Sequence, residues 1–390
     1  MIDYQWLKQK FTEIYGSEPR IFRAPGRVNL IGEHTDYNGG FVLPMAIDRE
    51  TAIAVSARQD RKIRAFTFNL EESGEFDLNE ERERKKGFWL NYVEGVARIL
   101  ERTEAKLSGA DMFICSDVPT GAGLSSSAAL ETAVGLALSE ISGHTIDRTT
   151  LARIGQQAEH EFVGAKVGIM DQFVSANAKK NQALLLDCRS LEFENVPLDT
   201  KQVAVVICDT NIKHDLATSG YNARREECEQ AVKTLKKFLP EIEQLRDVNR
   251  EDFEKHAEKL PEIIRRRARH VITENERTLE AANALKKNDL EAFGQLMWHS
   301  HASLKNDYEV SSAELDLLVE IAKDTKGVLG GRMTGGGFGG STVNLVKREN
   351  LDEFKKKISF EYQRLTEIEP TILISEASGG ASEILSEPSA

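Results

Sequence analysis

At 390 residues, against a prior of roughly 150 residues per domain, the chain is long enough for two domains and a substantial core. Its composition, 40% hydrophobic and 29% charged with 28 glycines and 9 prolines, excludes collagen-like and wholly disordered chains. A net charge of −12 argues against a broad surface for nucleic acid or acidic lipid while leaving room for a local anion site. No apolar run approaches the ~20 residues that cross a bilayer, and Met1-Ile2-Asp3-Tyr4 lacks the basic-then-apolar pattern of a signal peptide, so a cytoplasmic protein is expected. Cys115, Cys188, Cys208 and Cys228 are scattered without CxxC spacing, which suits reduced core thiols and predicts neither a disulfide nor a zinc site.

Apolar spacing predicts a first helix over Tyr4 to Tyr15, stopped by Gly16. Short β-branched or alternating runs then predict strands over Phe41 to Met45, Thr51 to Ala57 and Arg64 to Leu70, before helical period returns over Phe88 to Leu100. The next unit reads as strand (Asp111 to Ser116), glycine-serine loop (Asp117 to Ser127) and small-residue helix (Ala128 to Ile141). Leu151 to Val163 is a further helix, and the continuous apolar runs Ala183 to Leu186 and Val203 to Cys208 are buried strands. Beyond residue 210 the helical segments become rich in Glu, Lys and Arg: Arg224 to Leu239, Leu260 to Lys287, Leu290 to Ser303 and Ser311 to Lys323. A glycine-rich loop and strand (Gly330 to Val346) and a helix (Leu351 to Tyr362) follow. The change of character places a domain boundary near 205, dividing the chain into 1–205 and 206–390, and Ser375 to Ala390 reads as a partly frayed tail. No internal repeat is present.

Three stretches carry unusual residues. Pro119-Thr120-Gly121-Ala122-Gly123-Leu124-Ser125-Ser126-Ser127 runs straight into a helix, so it offers unblocked backbone N–H groups and the positive end of a helix dipole, an anion cradle. It has neither the GK[ST] of the common P-loop nor the last glycine of the dinucleotide fingerprint. Any of its three serines can offer a hydroxyl to phosphate or Mg²⁺, and one is also a candidate N-cap. In the stretch Arg27 to Gly40, five hydrogen-bonding side chains (Glu33, His34, Thr35, Asp36 and Asn38) fall within six residues beside apolar neighbours, an array suited to a polyhydroxylated ligand such as a sugar. Gly335-Gly336-Gly337-Phe338-Gly339-Gly340 places five glycines in six positions, which asks the backbone for close approach or positive φ. Standing alone, these stretches have structural alternatives: a capped turn, a solvated polar turn and a flexible linker.

Together they resemble the three motifs of the GHMP small-molecule kinases. The stretch Gly26 to Gly40 is similar to that family's galactose-type signature, and Pro119 to Glu131, Gly168 to Phe173 and Arg332 to Val343 complete the pattern, so the resemblance runs from about Arg23 to Val346. It implies an α+β fold of two domains with mixed sheets and helices and an active site in the interdomain cleft. It implies MgATP-dependent phosphorylation of the C1 hydroxyl of galactose, in a monomer that binds neither nucleic acid nor membrane. By the same resemblance, Asp171 is the catalytic aspartate and Arg27 its partner and that of the transferred phosphoryl. Glu33, His34, Thr35, Asp36 and Tyr221 are sugar ligands. Gly121, Ala122, Gly123, Leu124, Ser125, Ser126 and Ser127 form the phosphate loop, Ser127 and Glu159 hold Mg²⁺, and Thr67, with Trp89 beside it, stands near the nucleotide base.

The chemistry asks for these groups independently. A sugar hydroxyl is a poor nucleophile and the γ-phosphate repels it, so the pair must be aligned and charge neutralised. Arg27 beside Asp171 favours a charged carboxylate, which suits an orienting group better than a strong base. A catalytically silent sugar sensor would alter the phosphate loop, yet Leu124 to Ala129 is uninterrupted and Asp171 and Arg27 are both present. A kinase for N-acetylgalactosamine, mevalonate or another alcohol is the enzymatic rival, against which the Glu33 to Tyr37 loop argues.

Overall fold

In the computed structural model, residues 1–103, 106–212 and 217–385 are described. The first half runs α1 (Tyr4–Tyr15), β1 (Arg20–Asn29), a 3₁₀ turn (Asp36–Asn38), β2 (Phe41–Val42), β3 (Pro44–Arg58), β4 (Lys62–Thr67), β5 (Glu72–Asp77), α2 (Leu90–Arg102) and β6 (Gly109–Ser116). It continues with α3 (Ser126–Ile141), α4 (Arg148–Ala158) passing into a π-helical turn (Glu159–Val163), α5 (Met170–Asn177), β7 (Gln182–Asp187), β8 (Phe193–Pro197) and β9 (Val203–Asp209). The second half is α6 (Ala217–Leu235), α7 (Arg250–His256), α8 (Glu262–Lys286), α9 (Leu290–Ser303) with a π-helical turn (Leu304–Tyr308), α10 (Ala313–Lys323), β10 (Val328–Thr334), β11 (Ser341–Lys347), α11 (Leu351–Thr366), β12 (Thr371–Ser375) and β13 (Ser382–Ile384).

The first sheet has the order β13-β1-β3-β6-β4-β5 and is mixed, because β4 runs parallel to β6 while the other pairs are antiparallel. A second, antiparallel sheet has the order β10-β11-β9-β12, and a small third one is β2-β7-β8. One core lies between the first sheet and α2 to α5, with Phe22, Met112, Val134, Leu151 and Phe173 buried in it. The opposite face of that sheet takes Leu7 and Phe11 of α1 against Phe113. In the second half, α10 and α11 cover the four-stranded sheet, and α6 to α8 form a helical cluster around Leu245, Phe253 and Tyr308. A shared core ties the halves together, joining Leu30, Ile31 and Leu43 to Phe293, Met297 and Val343.

The structure departs from the sequence reading in places with physical causes. β3 is a single strand of 15 residues where two short ones were expected, because it pairs with β1 on both sides of an irregularity at Ile47 to Arg49. The sequence Glu-Ser-Gly-Glu-Phe-Asp of β5 is polar because β5 is an edge strand. The tail is a correction: β12 ends at Ser375, Ala377 and Ala381 are buried, and β13 pairs with β1, so 375–385 is built into the fold. The rest of the tail, 386–390, lies outside the described residues. Residue 205 falls inside β9, a central strand of the second sheet.

Candidate active site

Between the halves lies a cavity of about 310 Å³ lined by Arg27, Glu33, His34, Asp36, Gly121, Gly123, Leu124, Ser125, Ser126, Ser127, Asp171, Tyr221, Gly335 and Gly336, together with Pro119, Val167, Gly168 and Met170. All three unusual stretches meet here. β1 delivers Arg27 from beneath the loop that precedes α3: Arg27 N–H donates to Leu124 O (3.1 Å), and a Cβ on Gly26 would sit 2.7 Å from that same oxygen, so only glycine permits the approach.

Arg27 binds Asp171 through both carboxylate oxygens, Nε to Oδ1 at 2.8 Å and Nη2 to Oδ2 at 2.9 Å, while Nη1 donates to Gly123 O. Asp171 stands in the first turn of α5, whose Phe173 and Val174 are fully buried. Truncating such a phenylalanine typically costs about 3–5 kcal/mol, so the helix that carries Asp171 is firmly seated. Ser125 is the residue before α3 and lies in the left-handed region (φ 60°, ψ 50°). Its hydroxyl makes no cap and donates instead to Asp171 Oδ2. That strained backbone aims the side chain at Asp171.

On the phosphate side, Ser127 Oγ is 3.4 Å from Glu159 Oε1. Behind them Gln172 Nε2 donates to Glu131 Oε2 and Glu159 Oε2, both at 2.9 Å. Burial and then Glu159 hold the Glu131 carboxyl well above its ordinary range, and burial and then Asp171 push Glu159 up to about 7. The donor set is hard oxygen among crowded carboxyls, which fits Mg²⁺, and a divalent charge there would favour their ionised forms.

On the sugar side, Glu33 Oε1 accepts from Gly335 N–H (2.6 Å) and Thr334 Oγ1 (3.1 Å) and lies 3.4 Å from Arg332 Nη2, and Asn29 Nδ2 donates to Oε2 (2.9 Å). Glu33 therefore links the two halves as well as lining the cavity. His34 has φ 62°, is buried, and burial drives its pKa down to about 3, so the ring is neutral. Asp36 is pushed up to about 7 by burial first and then by Asp171. Tyr221 arrives from α6, its ring 5.6 Å from that of His34 and 5.2 Å from that of Tyr37. The glycine block packs backbone on backbone against the phosphate loop: a Cβ on Gly335 would lie 3.1 Å from Gly123 O, and Ser341 Oγ donates to Ala122 O (2.8 Å).

Four expected residues do not line the cavity. Glu159 reaches it only through Ser127, whose Oγ is 3.4 Å from Glu159 Oε1. Thr35 is fully buried and its hydroxyl sits between the carbonyls of Gly32 (2.8 Å) and Phe41 (2.6 Å), because consecutive residues of a tight turn point apart. Ala122 is buried beneath the loop. Thr67 is buried at the end of β4, paired with Ile114 and Glu72, and nearby Trp89 donates from Nε1 to Glu72 (2.9 Å). Conversely, sequence reasoning gave no part to Glu131, Gln172 or Tyr308. A signal for the first was a carboxylate in the middle of α3, set among small and apolar residues rather than at a helix end.

The chain matches the GHMP kinase N-terminal domain over residues 91–179 and the GHMP kinase C-terminal domain over residues 281–364. The fold is thus that of a GHMP kinase, with two domains of mixed sheets and helices. Residues 9–57 also match the galactokinase galactose-binding signature. The chain is 46% identical over 386 residues to a galactokinase of Roseiflexus sp., covering 99% of this chain and 98% of that one. It is 49% identical to a galactokinase of Chloroflexus aggregans over 91% of each chain. The crystal structure of Lactococcus lactis galactokinase complexed with galactose superposes with a TM-score of 0.94 at 37% identity, covering 98% of this chain and all of that one. This chain belongs to the galactokinase family.

Proposed function

We infer that this chain transfers the γ-phosphoryl group of MgATP to the C1 hydroxyl of α-D-galactose, giving galactose 1-phosphate and ADP. The observation that carries the reading is the position of the Arg27–Asp171–Ser125 group, between a phosphate-type loop at the start of α3 and the polar face made by Glu33, His34 and Asp36. In this reading the backbone N–H groups of Gly121 to Ser127 hold the β- and γ-phosphates, as a helix N-terminus does for anions. Asp171 orients the C1 hydroxyl and accepts its proton, and Arg27, fixed to Asp171, spreads the charge that develops on the transferred group. Glu33, His34, Asp36 and Tyr221 hold the sugar, while Thr35 braces the turn that presents them. Ser127 and Glu159 are the side chains assigned to Mg²⁺, which when bound neutralises phosphate charge. The glycine block closes over the phosphate loop and keeps water from the transfer site.

The division at residue 205 is kept as the proposed domain boundary, with the last strand, β13, crossing back to the first sheet. Among the described residues no helix is long and apolar enough to cross a membrane. The charge of −12 supports the reading that the chain binds no nucleic acid, and a cytoplasmic monomer is the reading carried by the family resemblance. The deciding experiment is ATP consumption across galactose, N-acetylgalactosamine, glucose, mevalonate and homoserine. Galactose is expected to give the highest kcat/KM; a higher value for any other alcohol overturns the substrate, and turnover with none overturns the kinase.

A further inference from the structure

A chain of polar side chains runs from α6 to the sugar side of the cavity. Cys228 Sγ lies 3.2 Å from Tyr308 Oη, Tyr308 Oη 2.7 Å from Tyr37 Oη, and Tyr37 Oη 2.8 Å from His34 Nδ1. Tyr308 is fully buried and Cys228 nearly so, and the Tyr308 ring also packs on His34 at 4.8 Å. Asn38 Nδ2 donates to His34 O (2.9 Å), which holds the backbone in its left-handed conformation. At the far end, His34 Nε2 is a buried atom that makes no hydrogen bond of ordinary geometry among the described residues, though the Gly336 backbone lies near the ring, and the ring lines the cavity.

Each phenol carries one proton, so the chain has two self-consistent directions, toward His34 or away from it. The neutral imidazole nitrogen is the best acceptor along it and the thiol sulfur the weakest. The favoured direction is therefore Cys228 S–H to Tyr308, Tyr308 O–H to Tyr37, and Tyr37 O–H to His34 Nδ1, which leaves the ring proton on Nε2. We propose that Tyr37 and Tyr308 are positioning residues that present His34 to the cavity as the Nε2–H tautomer, a fixed donor to one sugar hydroxyl oxygen. The proposal rests on the reading of His34 as a sugar ligand. The relay spans both halves of the molecule, so the sugar site acquires its donor only when α6 and the turn after α9 are docked on the Asp36 turn.

The test uses Tyr37→Phe, Tyr308→Phe and His34→Ala, with galactose Kd measured calorimetrically, MgATP KM, and ¹⁵N NMR of the His34 ring. Tyr37→Phe is expected to raise galactose Kd about tenfold, the equivalent of ~1.4 kcal/mol, and Tyr308→Phe less, with MgATP KM within about twofold. The Tyr37→Phe penalty should vanish for the one monodeoxy galactose that lacks the oxygen facing Nε2, as a coupling cycle requires. If His34→Ala weakens galactose but Tyr37→Phe does not, or if the wild-type ring carries its proton on Nδ1, the relay is overturned while the sugar site stands. An unchanged galactose Kd in His34→Ala overturns the sugar-site reading and the relay with it.

Discussion

Arg27 holds both carboxylate oxygens of Asp171 and, through its third nitrogen, the carbonyl of Gly123 in the phosphate loop. One guanidinium therefore fixes the distance between the group proposed to address the sugar and the loop proposed to address the nucleotide. Its side chain is almost fully buried, so the pair is shielded from the screening that weakens surface ion pairs.

Removing Asp171 leaves that arrangement without its orienting and proton-accepting member. Asp171→Asn is expected to lower kcat by roughly 100- to 10,000-fold with galactose Kd within a few fold, as measured by steady-state kinetics and calorimetry. Arg27→Lys should also lower kcat, because a single ammonium cannot reproduce the two-pronged grip. Near-normal turnover in Asp171→Asn would remove Asp171 from the reaction.

Glu159 gives a separate prediction on the nucleotide side. Glu159→Ala removes one of the two protein oxygens proposed for the metal, so the Mg²⁺ concentration for half-maximal activity should rise at least severalfold while galactose Kd stays constant. Binding of Mn²⁺ in the presence of ADP, followed by paramagnetic relaxation of water, gives a readout independent of turnover. An unchanged metal requirement would return Glu159 to a structural role beside Gln172 and Glu131.

Much of the site was legible because its chemistry needs rare residues close together: Arg27, Glu33, His34, Asp36, Ser125 to Ser127 and Asp171 all meet in one cavity. What failed was the assumption that neighbours in a motif share a target. Thr35 turns inward to bond carbonyls, and Glu33 spends both oxygens on neighbours as far along the chain as Gly335. Partners so distant leave no local pattern, and the same holds for β13, which pairs with β1 more than 350 residues earlier. β1 itself went unread because Pro25, Gly26 and Arg27 interrupt any apolar alternation, and a bulge at Pro25 to Arg27 accommodates them. α5 was recognised as a motif but not as a helix, being only 8 residues long.

Asp36 makes the free protein's stability depend on pH. Burial and then the Asp171 charge raise its pKa from 3.8 to about 7. Between those values the folded chain holds a proton that the unfolded chain has released. The contribution is fully present below about 3.8 and is lost as pH rises through 7. Because Asp36 opens partly onto the cavity, the loss is put at roughly 2 kcal/mol, about half of what a fully buried group would give. Asp36→Asn should therefore melt several degrees higher than wild type at pH 8 and at about the same temperature at pH 4, while binding galactose more weakly. A variant that melts lower at pH 8 would show that the carboxylate is stabilised by its surroundings.

The Asp36 loop comes close to the segment that leads into the helix of Asp171 at Gly168. A Cβ built there would lie 1.7 Å from Asp36 Oδ2 and 2.2 Å from its Cγ, and Gly168 has no positive φ to strain an alanine. Gly168→Ala must therefore move either the Asp36 carboxyl or the start of α5. The carboxyl is a side chain with cavity on one side, whereas α5 is anchored by Phe173 and Val174, so Asp36 yields. Taking the Asp36 partner away from a buried sugar hydroxyl costs about 1–3 kcal/mol, which is a rise of roughly 5- to 150-fold in galactose KM. The expected pattern is that rise with kcat within about threefold and MgATP KM unchanged. Asp36→Ala alone should give a similar loss, and adding Gly168→Ala to it should cost nothing more, because the atom in the way is gone. If instead kcat falls as far as affinity, and the second substitution still adds its full penalty, the helix has moved and Asp171 with it, and Asp36 is not what Gly168 makes room for.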